Sequence, residues 1–408
     1  MKKKVAVICG GAAGLMAAYA AAKNGNDVTI FEKNTRPARK VMITGKGRCN
    51  VTNNCDRDTF LLNTPHGSRF MYSAYSAFSS SDTMAFFEDM GVPLKTERGN
   101  RVFPVSDKAV DIVDGLVLAV KKYDVKFVQA TVTGIDAQNS KIQSLTLQNG
   151  QTHFFDKVIL ATGGLSYPVT GSTGDGYKFA ADLGHTVTEL RASLVPIMIK
   201  QNFCSRLCGL SLKNVKLSLY LEGKKKPVFS ELGEMMFTDF GITGPLVLSA
   251  SAYIDKEPEL YTLKLDLKPA LDNDTLDKRI LRDFAAGSNK DFINSLDDLL
   301  PQRLISVVVN NTGIDPRKKV NSLTREERAR LINEMKNMEL SVFRLRPVEE
   351  AVITSGGIKL KEIDPATMQS KLIEGLYFAG EIIDVDCFTG GFNLQAAFST
   401  GYLAGISV

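Results

Sequence analysis

An apolar run broken by paired glycines near the amino terminus narrows the choice of fold more than any other feature of the chain. Lys4-Val5-Ala6-Val7-Ile8-Cys9 stops at Gly10-Gly11, and a short apolar run ending in glycine reads as a buried parallel strand. From Ala12 to Lys23 the residues are mostly small helix formers. Gly25 stands where a left-handed helix stop is expected, and Asp27 to Phe31 resumes a strand that ends on Glu32. Strand, glycine turn, helix, strand, acid is the opening unit of an α/β sheet that holds a dinucleotide. In that unit Gly11 lets the backbone approach a pyrophosphate. Ala12 and Ala13 open a helix whose free N–H groups and positive dipole end favour the anion, and Gly14 lets that helix pack on the strand. Glu32, followed by Lys33, lies where a carboxylate accepts from a ribose hydroxyl. The pattern G-x-G-x-x-G asks for glycine at position 9, where this chain has Cys9; Gly10 is expected to take over part of the turn.

Met1-Lys2-Lys3-Lys4, the apolar run and Ala20-Ala21-Ala22 also resemble a secretory signal. A cleaved signal has no reason to continue into a second strand ending on Glu32, so a cytoplasmic protein is expected. No apolar segment approaches the roughly 18 to 20 residues that span a bilayer, which argues against a membrane anchor. At 408 residues the chain is too long for one ordinary core. Its net charge of +5 is compatible with an anionic substrate or a nucleic acid. Six cysteines without a C-x-x-C, and three histidines, argue against a disulfide scaffold and against a metal site.

After Glu32, the segment Val41 to Asn53 is basic, glycine-punctuated and rich in amides. Gly47, Arg48 and Asn50 lie where such donors could wrap a diphosphate and the polar edge of a ring. Two helices are expected, around Ser81 to Met90 and Lys108 to Lys122. Lys126 to Val132, Ile142 to Gln148 and Gln151 to Phe155 then read as a small meander with Asn149-Gly150 as its turn. Lys157 to Leu160 is another buried strand, and Ala161, Thr162, Gly163 and Gly164 form the ligand-facing turn at its carboxyl end.

From about Val195 the pattern becomes antiparallel strand: Lys213 to Leu221, Val228-Phe229 and Tyr261 to Leu267, with Lys224-Lys225-Lys226 as a solvated hairpin tip. Helices are expected from Asp272 to Leu300 and from Thr324 to Met338. The α/β pattern returns with the strand Leu376 to Phe378, its Gly380-Glu381 turn, and a last helix that Gly390, Gly391, Asn393 and Leu394 open. One nucleotide domain is therefore built from two sequence blocks around an inserted module. No second complete glycine fingerprint is present, and a grip on both ends of one ligand favours FAD, with NADH or NADPH visiting only transiently as reductant.

These residues resemble a known family. Ala38 to Asn53, Ala161 to Pro168, Gly171 to Gly176, Gly233 to Thr238, Gly241 to Pro245, Thr354 to Ile358 and Gly375 to Gly401 are similar to the BaiN-type NAD(P)/FAD-dependent oxidoreductases, flavoproteins that include bile-acid ring reductases, aminoacetone oxidase-like enzymes and ribosomal-RNA dihydrouridine synthases. The resemblance implies an α/β fold: a Rossmann-like FAD-binding domain with an inserted β-barrel-like module and a small helical module. The expected boundaries are 1–194 and 356–408 for the FAD domain, 195–270 with 339–355 for the β-rich module, and 271–338 for the helical one. Cys49 and Tyr167 fall in motifs expected near the flavin, as catalytic candidates; Lys40 and Arg48 would supply positive charge to reduced flavin, and Val132 is added to the cofactor contacts. The chain departs from the pattern at Cys9 and Cys387, where glycine is expected.

The expected activity is reduction of an activated carbon–carbon double bond, such as a steroid or bile-acid enone, with hydride taken from NAD(P)H through the flavin. A proton donor for the adjacent carbon is then needed. Cys49, beside Arg48, which would favour its thiolate, is one candidate; a small filler of a tight loop is the other reading of the same residue. Three alternatives stand beside it: an RNA-binding flavoenzyme forming dihydrouridine in ribosomal RNA, a flavin amine oxidase of aminoacetone type, and a reductase using Cys49 and Cys55 as a redox pair. The last is disfavoured because five residues separate the two thiols where four are usual. Oligomeric state and the choice between NADH and NADPH are open at this stage.

Overall fold

The computed structural model describes residues 2–408. It divides into two compact units, one comprising the residues up to Ser193 together with Val348–Val408, the other Leu194–Pro347.

The first unit is built on a five-stranded sheet in the order Leu376–Phe378, Lys157–Leu160, Lys4–Ile8, Asp27–Glu32, Lys126–Gln129, with every neighbouring pair parallel. Val5, Ala6 and Val7 of the central strand are fully buried, the consequence of a parallel strand covered on both faces. Helix Ala12–Lys23 follows the first strand, and helix Phe392–Ser407 closes the chain against it. Both are apolar nearly all round because each is buried between layers. Their approach is close: a Cβ added to Gly401 would lie 2.4 Å from the Ala13 carbonyl oxygen, and one on Gly405 would lie 2.4 Å from that of Ala17. Only glycine at these two positions lets the helices meet at this distance.

Two expectations are corrected here. Lys126 to Val132 does not run as one strand of a meander. Lys126–Gln129 pairs in parallel with Asp27–Glu32, while Val132–Gln138, Lys141–Leu147 and Thr152–Phe154 form a separate antiparallel sheet. The chain changes partners between Ala130, whose N–H donates to the Glu32 carbonyl, and Thr131, whose carbonyl accepts from Gln148. A continuous β-type run carries no mark of such a change. The return to the first unit also comes earlier than residue 356, because Ile353–Ser355 pairs antiparallel with Arg191–Ser193.

In the second unit a closed six-stranded barrel runs in the order Ile197–Ile199, Gly241–Thr243, Phe229–Phe237, Ser211–Leu221, Tyr261–Asp266, Met338–Leu345. Alternate residues such as Leu217, Leu219, Leu263 and Leu265 fill its interior. Lys224 to Lys226 lie exposed between two paired strands. Helices Asn273–Ala286, Gln302–Thr312 and Arg325–Asn337 share one apolar core with the barrel. The helix expected to run on to Leu300 stops at Ala286, capped by Gly287. Thr324 and Glu327 start the third helix with a reciprocal capping box.

Candidate active site

The turn after the first strand puts its left-handed residue at Cys9, with φ +81°, rather than at either glycine. A Cβ in that region costs roughly 1–2 kcal/mol, and hydrogen bonds on both sides hold it there. The Cys9 N–H donates to the Phe31 carbonyl at 2.8 Å, and the Gly10 N–H donates to Glu32 Oε2 at 2.8 Å. Glu32 Oε1 accepts from the backbone N–H and the side-chain amide of Asn34, each at 2.8 Å. Glu32 is buried and locks the turn to the second strand. Burial together with the Glu32 carboxylate pushes the Cys9 thiol far up.

Gly11 and Gly391 are the N-caps of helices Ala12–Lys23 and Phe392–Ser407, and neither helix has a side-chain cap. Their first-turn N–H groups are therefore left for another acceptor. Both helix starts reach one cleft, the first through Gly11, Ala12 and Ala13 and the second through Asn393 and Leu394. Its walls carry Gly11, Ala12, Ala13 and Glu32 from the first block and Ala161, Thr162 and Gly163 from the middle strand end; Gly380, Glu381, Asn393 and Leu394 come from the last block. Lys40 completes this part of the lining. A smaller adjoining cleft shares Cys9, Glu32, Thr162 and Gly171 with it and adds Lys33 and Val132. Sequence patterning gives no warning of Met71, Val352, Ile353, Ile383 and Val385, which also line the larger cleft; each is an ordinary apolar residue in its own segment.

Lys40 Nζ lies 2.7 Å from Glu381 Oε2 and 2.6 Å from Ser166 Oγ. Glu381 Oε1 accepts in turn from Ser166 Oγ at 3.0 Å and from the Thr354 N–H at 2.9 Å. A cation, a carboxylate and a hydroxyl thus form one connected network at the cleft wall.

Other expected residues lie outside the lining. Gly14 and Gly391 serve packing: an added Cβ would lie 2.0 Å from the Cys9 carbonyl oxygen or 2.4 Å from the Thr52 carbonyl. Arg48 turns away from the cleft to Glu97 and Asp107, at 2.5 and 2.6 Å, and lies over the Phe103 ring at 4.2 Å. Gly47 and Asn50 flank it in the same loop, Asn50 with a buried Oδ1 that has no protein partner. Cys49 is fully buried with φ +58°, and burial pushes its thiol up to about 12. The expectation that Arg48 would favour the Cys49 thiolate is corrected by these facts: the guanidinium is engaged by two carboxylates, and desolvation of the thiol dominates. Tyr167 takes a left-handed conformation ahead of a short 3₁₀ turn, and its N–H donates to the Glu349 carbonyl.

The residues present fit a dinucleotide. A Cβ on Gly11 would meet nothing nearer than 3.9 Å, so the space in front of this turn is open. Thr162 lines both clefts, and its buried Oγ1 packs against Gly176, where an added Cβ would lie 1.9 Å from it. Two uncapped helix ends and open space before a glycine suit a diphosphate with a sugar on either side.

Comparison with known proteins agrees with this geometry. The HI0933-like protein Rossmann domain matches residues 3–407. The chain is 29% identical over 412 residues to the 3-dehydro-bile acid delta(4,6)-reductase of Clostridium scindens, covering 98% of each. It is 30% identical over 408 residues to the ribosomal RNA dihydrouridine synthase of Haemophilus influenzae, covering 98% of this chain and 97% of the relative. Among solved structures, the 3-ketosteroid-delta4-(5alpha)-dehydrogenase from Rhodococcus jostii RHA1 shares the fold at a TM-score of 0.53 and 15% identity, over 100% of this chain and 96% of that one. The chain belongs to the HI0933-like Rossmann family, oxidoreductases with a Rossmann-type FAD-binding fold.

Proposed function

We propose that this member of the HI0933-like family is an FAD-dependent reductase that saturates a carbon–carbon double bond conjugated to a carbonyl, with NAD(P)H as the transient reductant and the cytoplasm as its place of work. The observation that carries the reading is the cleft assembled from both sequence blocks, with an uncapped helix end from each and Lys40 paired to Glu381 between them. The names of the two relatives point the same way. A delta(4,6) bond system in a 3-dehydro bile acid is conjugated to a ketone, and forming dihydrouridine saturates a double bond beside a carbonyl.

In this reading the backbone of Gly11, Ala12 and Ala13 holds the diphosphate and Glu32 the adenosine ribose, while Gly380, Glu381, Asn393 and Leu394 hold the far end. FAD, when bound, supplies hydride transfer between reductant and substrate. Met71, Val352, Ile353, Ile383 and Val385 keep that region apolar and exclude water. Lys40 provides positive charge where negative charge develops and holds a proton at Nζ, which its bonds to Glu381 and Ser166 position. Cys49 and Tyr167, outside the lining, are left with the shape of their loops.

A second reading, uridine in ribosomal RNA as the substrate, is favoured by the relative that is 30% identical over nearly its whole length. Salt separates the two: binding that neutralises phosphates weakens steeply as salt rises, whereas a neutral enone responds little. The test is anaerobic. The purified yellow protein is bleached with NADH or NADPH and then offered an unsaturated ketone or ribosomal RNA. Reoxidation by the ketone supports the first reading, reoxidation by RNA alone the second, and failure to bleach with either nucleotide removes both.

A further inference from the structure

The glycine-rich stretch that begins at Gly171 forms part of the wall between the two clefts. Thr170, Gly171 and Ser172 line the larger cleft, and Gly171, Thr173, Gly174 and Asp175 line the smaller. Gly171 thus belongs to both, as do Cys9 and Glu32 at the ends of the first two strands. A ligand with its diphosphate before Gly11 and a ribose on Glu32 reaches this border from the larger side.

The backbone of this stretch is folded on itself. Tyr167, Gly171 and Gly174 are left-handed, with φ of +53°, +109° and +81°. The Thr170 N–H donates to the Tyr167 carbonyl at 2.9 Å, the Gly171 N–H to that of Pro168 at 2.9 Å, and the Thr173 N–H to that of Gly171 at 3.0 Å. Among the described residues, no backbone hydrogen bond joins 168–174 to another element. A segment whose backbone bonds close locally can swing without breaking a sheet or a helix. Its two ends are fixed: the Tyr167 N–H donates to the Glu349 carbonyl, and helix Asp175–Asp182 follows.

Side chains from the end of the second strand hold the segment down. Lys33 Nζ donates to Asp175 Oδ2 at 2.7 Å and to Thr173 Oγ1 at 2.5 Å, and Thr173 Oγ1 donates to the same carboxylate oxygen at 2.7 Å. Asn34 Nδ2 donates to the Thr170 carbonyl at 3.3 Å and to Glu32 Oε1 at 2.8 Å. One amide therefore joins the buried carboxylate to the segment. The two sides touch, since a Cβ on Gly171 would lie 2.6 Å from Asn34 Nδ2. The contacts lie toward solvent: the side chains of Lys33 and Asp175 are 29% and 45% exposed and Val169 is 77% exposed, whereas Glu32 is 5% exposed.

We infer that residues 168–174 are a strap across the border of the two clefts, latched by Lys33 and Asn34, and that its opening sets how fast a dinucleotide enters and leaves. The inference rests on the dinucleotide reading of the larger cleft. Every group in the latch belongs to the protein, so its strength does not depend on a ligand. An ion pair this exposed is weak and is screened by salt, which suits a closure that must open readily. Loosening such a latch enlarges the open fraction, so entry and exit quicken together and affinity is kept. A residue that only touches the ligand changes exit alone.

The test follows FAD into and out of the full-length chain. Flavin-free protein is mixed with FAD by stopped flow for the association rate, and protein loaded with radiolabelled FAD is chased with unlabelled FAD for the dissociation rate. Lys33→Met and Asp175→Ala are each expected to raise both rates by about two- to fivefold, with Kd within about twofold of the parent. The double variant is expected to exceed the faster single one by less than about twofold, well short of the product of the two effects. Long-range fields on an anionic ligand do not imitate this, because loss of Lys33 would slow association and loss of Asp175 would hasten it. Amide hydrogen exchange of 168–174 is expected to quicken in both variants while that of helix Ala12–Lys23 keeps the parental rate. Association rates that move in opposite directions, dissociation that rises alone with a matching loss of affinity, or parental rates and parental exchange in both variants each overturn the strap. A parent protein that takes up no FAD removes the dinucleotide reading itself, and the inference falls with it.

Discussion

Lys40 Nζ and Glu381 Oε2 lie 2.7 Å apart although 341 positions of sequence separate them. The pair ties the segment after the first β-α-β unit to the last block of the chain, at the wall of the cleft. With the two side chains 24% and 20% exposed, the pair is neither a free surface contact nor a dry one, and its contribution lies between those limits.

Replacing Lys40 by Met leaves Glu381 with only Ser166 and Thr354 as donors. A loss of about 1–3 kcal/mol in stability is expected, together with weaker flavin retention. A double-mutant cycle of Lys40→Met with Glu381→Gln, read by urea unfolding, should give a coupling of about 1–2 kcal/mol. Strict additivity would remove the pair from the account of the site.

Gly11 and Gly14 make a matched test of ligand against packing. A Cβ on Gly11 meets protein only at 3.9 Å and beyond, whereas one on Gly14 would lie 2.0 Å from the Cys9 carbonyl oxygen. Gly11→Ala is expected to fold with the parental circular dichroism and purify without flavin; Gly14→Ala is expected to fail to fold. A Gly11→Ala protein carrying one flavin per chain contradicts the assignment of this turn to the diphosphate.

The contribution of Asp386 to stability should fall as pH rises through the acid range, against the background of the other carboxylates. Burial among Asp384 and Glu381 pushes the Asp386 carboxyl up from its ordinary 3.8 to about 6. The folded state then keeps a proton that the unfolded chain releases, and stability is lost between those two values as pH increases. His66, raised by Asp384, adds stability that is fully present below its ordinary value of 6.5 and is lost as pH rises through its folded value. Asp386→Asn keeps the shape and removes the first component. It should match the parent near the bottom of the range and exceed it at neutral pH by up to about 3 kcal/mol. Equal urea midpoints at both pH values would show that the carboxyl is not perturbed in this way.

Cys49→Ser addresses the thiol that the sequence puts forward as a proton donor. Full burial and a thiol pushed up to about 12 leave it as a filler of the loop, bonded to Thr44. The variant should keep both flavin half-reactions within about threefold of the parent, well short of the two to four orders of magnitude that a positioned general acid contributes. Reoxidation slowed a hundredfold, with flavin fully bound, would return Cys49 to the chemistry.

What the amino-acid order determined by itself is whatever short-range physics can carry. The run Lys4 to Glu32 announces its strand, helix and strand through period and glycine placement, and Thr324 with Glu327 announces a helix start through its capping box. The same holds for the apolar strand Lys157–Leu160 and the glycine turn beyond it. Tertiary structure decided the rest, because the deciding contacts join residues whose own neighbourhoods carry no sign of a partner. Thr131 leaves one sheet for another inside an unbroken β-type run. Arg48 looks like a flavin ligand from its loop, yet Glu97 and Asp107 hold it elsewhere. Gly401 reads as a weak point in a helix until Ala13 is found against it, and His66 and Asp386 become neighbours only because Gly67 lets two distant segments close. Local pattern records which face of an element is apolar. Which other element covers that face is set by the packing of the whole chain, and most of the cleft wall was settled there.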